Sequence, residues 1–214
     1  MITDIVKIIE PLAHAFFREA RGSHGWDHVQ RVLHLCERIG PEERCDMTVL
    51  RVAALLHDIG RNQSDTLNGS MCHAALGADM AREVLVNAGA DAELTDAVVH
   101  CVASHRFRGG ANPESLEAKV LFDADKLDGI GAVGIGRAFQ FAGEVGARLH
   151  DPNVDINATQ AYGEDDTAYR EYLVKLRHVK ERMLTRSGQK LAEERSEFME
   201  GFFRRLNAEA LGEL

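Results

Sequence analysis

Apolar residues in this 214-residue chain recur three and four positions apart almost from end to end, the period of helices that bury one face. In IVKIIEPLAHAFF they are Ile5, Ile8, Ile9, Leu12 and Phe16, and from about Trp26 to Ile39 they are Val29, Val32, Leu33 and Ile39. The strict alternation that marks a strand is nearly absent. The pattern therefore predicts an all-α fold. Local signals cut it into pieces. CDMTVLRVAALLHDIG reads as a buried helix closed by Gly60 as its C-terminal cap. The next helix stops at Asn87–Gly89, and DAELTDAVVHCVASH runs from an Asp cap to about His105. NPESLEAKVLFDADKLD offers Asn112 as cap and Pro113 at the first helical position. Two charged helices follow, at about 166–185 and about 188–208. Loops are expected at about 61–70, 106–112 and 147–163. No repeat or internal boundary shows, so the reading is one domain over 1–214, with a motif core at about 20–140 and C-terminal helices at about 164–208.

Charge and composition narrow the function classes. The formal net charge of −9 argues against a nucleic-acid polymer or an anionic membrane as partner. A small anionic substrate stays open, because a metal or a few local arginines can invert the potential inside a cleft. No apolar run approaches the roughly 18 residues of a membrane span. The N-terminal stretch is interrupted by Asp4, Lys7 and Glu10, so it does not read as a signal peptide. Cys36, Cys45, Cys72 and Cys101 form no C-x-x-C pair and read as free thiols in a reducing compartment. The expected location is cytoplasmic.

Three short stretches carry chemistry. AALLHDIG ends an apolar helix in His57 and Asp58, and each must find a partner or bear the cost of desolvation. The plainer account is a histidine favoured by the helix dipole beside a solvated Asp58. LFDADKLDGIG crowds Asp123, Asp125 and Asp128 beside Lys126. Asp125 and Asp128 share a helix face, and carboxylates this close repel unless a cation neutralises them. A solvated acidic face is the commoner fate of such a run, but the flanks here are apolar. HGWDHVQRV places His24 and His28 four apart. A zincin site fails there because Gly25 stands where a catalytic glutamate belongs. In order, His28, His57–Asp58 and Asp125 make a mixed nitrogen–oxygen set that suits Mn²⁺, Fe²⁺, Zn²⁺, Co²⁺ or Mg²⁺ better than a soft metal.

With these residues in order the chain resembles the HD-domain metal-dependent phosphohydrolases. DHVQRV is similar to the family's first-histidine helix, LLHDIG to its signature dipeptide and DADKLD to its final aspartate. DADKLDGIGAVGIGRAF followed by a charged helix pair resembles the small bacterial members, over about residues 20 to 205. The resemblance implies His28, His57, Asp58 and Asp125 as metal ligands, with His24 as a helix cap or a support behind them. It implies one divalent ion rather than two, manganese first, with Mg, Fe, Co, Ni or Zn as alternatives. His73 and His105 fall where two-metal relatives place extra ligands; otherwise they line the pocket and hydrogen-bond phosphate. Such an ion lowers the pKa of a bound water and polarises a phosphoryl group.

The expected substrate is a small phosphorylated molecule, a nucleoside or deoxynucleoside triphosphate cut to the monophosphate and pyrophosphate. Alternatives are a cyclic-nucleotide phosphodiesterase with two metals, a di-iron oxygenase and a non-catalytic binding module. Asp58, Asp128 and His105 are the candidate catalytic groups, with Asp128 a proton acceptor or a support for the ligands. Arg31, Arg61, His73, His105, Lys126 and Arg137 are candidate substrate contacts, although surface ion pairing is the commoner fate of Arg and Lys. GIGAVG, residues 129–134, matches G-x-G-x-x-G, but it lacks the preceding strand that a dinucleotide fold needs. It reads instead as small residues that let helices pack closely.

Overall fold

The computed structural model describes residues 5–18, 24–66, 72–106 and 111–214, without the side chains of 64–66. All regular structure among the described residues is helical, as the period demands. The chain divides into two compact units, Met1–Asp125 and Lys126–Leu214.

The first unit holds α1 (Ile5–Ala15), α2 (Trp26–Glu43), α3 (Met47–Leu56), α4 (Arg61–Thr66), α5 (His73–Asn87), α6 (Ala92–Ser104) and most of α7 (Leu116–Asp128). Helix α3 is the hub, packed on α1, α2 and α6. It is apolar nearly all round, with Leu50, Val52, Ala53, Ala54 and Leu56 fully buried, the composition of a central helix. Asp46 caps its start by accepting from the N–H groups of Thr48 and Val49. Gly40 lets α2 lie close to α3, since a Cβ there would stand 2.6 Å from Leu50 Cδ2.

Three local expectations change. Helix α3 ends at Leu56, with His57 as its cap and residues 57–60 in a turn, so Gly60 is not the cap. Its smallness serves a close approach instead. A Cβ on Gly60 would lie 2.6 Å from both Gly77 N and His73 O, so glycine lets the turn rest on α5. Helix α7 starts after Ser115, whose hydroxyl accepts from Ala118 N–H at 3.1 Å, and not at Asn112–Pro113. The N–H of Glu114 instead donates to His100 Nε2 at 3.1 Å. Helix α4 occupies 61–66 of the expected loop at 61–70, whose remainder lies outside the described residues, as do positions 107–110 of the loop at 106–112.

The second unit holds α8 (Gly131–Glu144), α9 (Ala168–Val174), a 3₁₀ helix (Leu176–Arg182) and α10 (Arg186–Ala210). Phe203 stacks on Tyr172 at 4.6 Å and packs beside Tyr169. The expected helix at about 166–185 is broken at Lys175, which leaves helical geometry at φ −134°. The GIGAVG run packs within this unit. Gly131 has φ +75° and lies against Arg195, and a Cβ on Gly134 would overlap the Gly129 carbonyl. No strand precedes the run, so the dinucleotide frame is missing among the described residues. Residues 147–163 carry no helix or strand. They are tied down by Arg170, which donates to Thr159 Oγ1 at 2.9 Å and to Asp166 at 2.8 Å, while Asp166 accepts from Tyr162 N–H at 2.8 Å. All four cysteines are free thiols. Among the described residues no helix is long and apolar enough to cross a membrane.

Candidate metal centre

The end of α3 frees its last carbonyls, and His57 uses one of them. Its Nδ1 lies 2.8 Å from Ala54 O. A carbonyl only accepts, so Nδ1 carries the proton and Nε2 presents a lone pair. That Nε2 faces His28 Nε2 at 3.2 Å. His28, in the first turn of α2, is fully buried. Asp125 on α7 brings Oδ1 to 3.4 Å from His28 Nε2. Donor atoms of His28, His57 and Asp125 thus lie within 4.8 Å of one another.

Asp58 follows in the turn and is 3% exposed. Its two oxygens face different groups. Oδ2 lies 3.3 Å from His24 Nδ1 and 3.8 Å from His28 Nε2, while Oδ1 lies 3.6 Å from Nε2 of both His73 and His105. His105 repeats the construction of His57. It caps α6 and places Nδ1 2.7 Å from Val102 O, which turns its Nε2 inward. His73 opens α5 and is brought to Asp58 by the Gly60–Gly77 approach.

Burial disfavours the charged imidazoles. It pushes His57 down to about 4 and His73 down to about 3, against the pull of Asp58. Burial lowers His24 as well, against the same pull. Burial works to raise the Asp58 carboxyl, yet the facing His105 and His24 hold it well below the usual carboxylate range. At neutral pH, His57 and His73 are therefore neutral and Asp58 is ionised. Among the described residues, the ion-pairing groups seen within 4 Å of its oxygens are four imidazoles. His24 Nδ1 is buried and has no hydrogen-bond partner. Neutral imidazoles, inward lone pairs and carboxylates make a donor set that fits a divalent cation.

The comparisons with known proteins agree with this chemistry. The family model described as HD domain matches residues 25–130. Bacillus subtilis YpgQ is 35% identical over 209 residues, which cover 95% of this chain and 93% of YpgQ. The chain belongs to the HD-domain family. The crystal structure of YpgQ in complex with ADP matches with a TM-score of 0.73 at 33% identity, over 95% of this chain and 97% of that one. A predicted HD-superfamily hydrolase from an uncultured Thermotogales bacterium matches with a TM-score of 0.65 at 29% identity, over 97% and 92%. The chain is accordingly an HD-superfamily hydrolase, in a family of metal-dependent phosphohydrolases.

Within the HD framework the other candidate residues fall into distinct places. Arg61 opens α4 just beyond the His57–Asp58 turn, and its charge acts on both His24 and His73. Arg31 is engaged by Asp27 at 2.7 Å in an i,i+4 pair. Lys126 is half-buried in the last turn of α7. In the second unit Arg137 donates to the buried Asp128 at 2.7 Å. One residue near the centre went unmarked in the sequence. Arg106 acts on His73 and donates to Cys72 Sγ at 3.5 Å; its position directly after His105 was the available signal. His24 is not a cap, because Gly25 holds the N-cap position of α2 and the imidazole faces Asp58.

Proposed function

We propose that this HD hydrolase is a nucleotide phosphohydrolase that cuts a nucleoside or deoxynucleoside triphosphate to the monophosphate and pyrophosphate. The observation that carries the reading is that His28 shares one donor group with His57 and Asp125 and a second with Asp58. These four residues would hold the divalent ion, with manganese the leading identity, and the ion would supply Lewis acidity and an acidified water. The nucleotide half of the proposal is supported by the ADP complex of YpgQ.

The chain's own groups then divide the remaining work. Asp58, ionised and buried, orients the attacking water. His105, with Nδ1–H committed to Val102 O, offers Nε2 as a proton acceptor rather than as a donor to phosphate. Arg61 and Arg106 supply positive charge for the phosphates beside His73. Arg31 is a further phosphate contact, and within the second unit Arg137 holds Asp128. A second reading has two ions, because Asp58 Oδ1 faces His73 and His105 while Oδ2 faces His28. His73 and His105 with Asp58 would then hold the second ion, and the pair would supply phosphodiester chemistry.

Product analysis by anion-exchange chromatography tests the proposal, with metal-stripped protein given dATP or GTP with and without Mn²⁺. Manganese-dependent monophosphate plus pyrophosphate is expected. Bound metal with no turnover of either nucleotide would remove the triphosphate reading and move the search to cyclic nucleotides and monophosphates.

A further inference from the structure

His24 belongs to none of the four ligand positions that the motifs mark, and its geometry assigns it a task there. We propose that His24 Nδ1 is a further nitrogen donor to the ion held by His28; this rests on the metal-dependent reading above.

The argument turns on His28. Two donor groups overlap at this residue, His24–His28–Asp58 and His28–His57–Asp125, each with its atoms within 4.8 Å. An imidazole nitrogen has one in-plane lone pair and serves one ion. Both groups therefore describe the surroundings of a single cation, with His24 Nδ1 and Asp58 Oδ2 joining His57 Nε2 and Asp125 Oδ1. Asp58 Oδ1, turned to His73 and His105, is not part of this set.

The state of His24 supports the assignment independently. The side chain is 31% exposed, yet its Nδ1 is buried and makes no hydrogen bond. Asp58 Oδ2 is only 3.3 Å away and pulls on the imidazole's charge, but without a well-aligned hydrogen bond. A buried nitrogen without a partner is costly, and in the tautomer that leaves Nδ1 unprotonated its lone pair is repelled by the carboxylate. A cation accepting from both removes both penalties. The imidazole has no competing task as a cap, since Gly25 holds that position.

The test uses the full chain stripped of metal and compares wild type with His24→Ala, His24→Gln and His28→Ala, each checked for helix content by circular dichroism. Free Mn²⁺ is titrated by its electron paramagnetic resonance signal, and coordinated imidazole nitrogens are counted by electron spin-echo modulation at one equivalent of metal. The expected result is Mn²⁺ affinity about 10–100-fold weaker in His24→Ala, with one fewer imidazole nitrogen than wild type and a still larger loss in His28→Ala. Unchanged nitrogen count and affinity within about twofold in both His24 variants would overturn the assignment of His24 alone. A wild-type chain that binds no Mn²⁺ would overturn it together with the metal-dependent reading.

Discussion

In the second unit two buried carboxylates each have a guanidinium: Arg137 reaches Asp128 at 2.7 Å and Arg170 reaches Asp166 at 2.8 Å. In the first unit Asp58 is buried as deeply, but among the described residues the groups seen within 4 Å of its oxygens are imidazoles, of which His73 is held neutral by burial. A buried charge must be compensated or the fold loses stability. The second unit builds the compensation into its sequence, where it is permanent and structural. On the proposed function the first unit would leave it to an exchangeable cation, and an exchangeable cation can do chemistry.

The largest effect should come from removing the charge that the ion answers. Asp58→Asn should lower kcat/KM by on the order of 10³-fold or more, the several kcal/mol that a bound ion contributes to phosphoryl transfer. Steady-state kinetics at saturating Mn²⁺ measures it, and activity within tenfold of wild type would break the comparison. In the second unit Arg170→Ala should cost about 3–5 kcal/mol of stability, because it strands the buried Asp166 and releases Thr159 from its ties. A shift in the urea midpoint at unchanged slope reads this out.

Metal should stabilise the chain through the first unit. Mn²⁺ at about 100 times its Kd should add about 2.7 kcal/mol, or about 5–10 °C in the thermal midpoint, and Asp58→Asn should abolish that gain. The pH dependence of the metal-free protein has a defined sign. His57 near 4 and His73 near 3 lie below the ordinary 6.5, so the unfolded chain binds these protons more readily. Stability should fall as pH drops from about 6.5 toward 4 and lower, with the Asp58 contribution lost only below the ordinary carboxylate range. A melting series across pH 7 to 4 checks the direction, and a midpoint that rises on acidification would contradict it. The smallest effect belongs to an exposed pair. Arg82→Ala, which removes the 2.8 Å contact with Asp96, should change stability by less than about 1 kcal/mol.

The helical architecture was legible because burying one face imposes a period that residue types report directly. The order His28, His57–Asp58, Asp125 was legible for a similar reason: coordinating residue types inside apolar runs stand out in one dimension. What stayed hidden depends on approach in three dimensions. Gly60 reads as a cap along the chain, but its smallness matters because α5 passes over it. Asn112–Pro113 is a good helix start locally, yet the N–H of Glu114 is drawn to His100, fourteen residues away, and Ser115 takes the cap. His24 reads along the chain as a cap or a support, because nothing in HGWDHV says that its ring folds back on Asp58. Arg170 sits within an ordinary charged helix pattern, and only the return of residues 159–166 makes it a tie.

The most direct test of the exchangeable cation is metal content by inductively coupled plasma mass spectrometry, after dialysis against Mn²⁺ and then metal-free buffer. Wild type should retain at least one ion per chain, and a His28→Ala/Asp125→Ala variant should retain none while keeping its helical circular dichroism. Retention of Mn²⁺ by the folded double variant, or hydrolysis by a wild-type chain that holds no metal, would contradict the account.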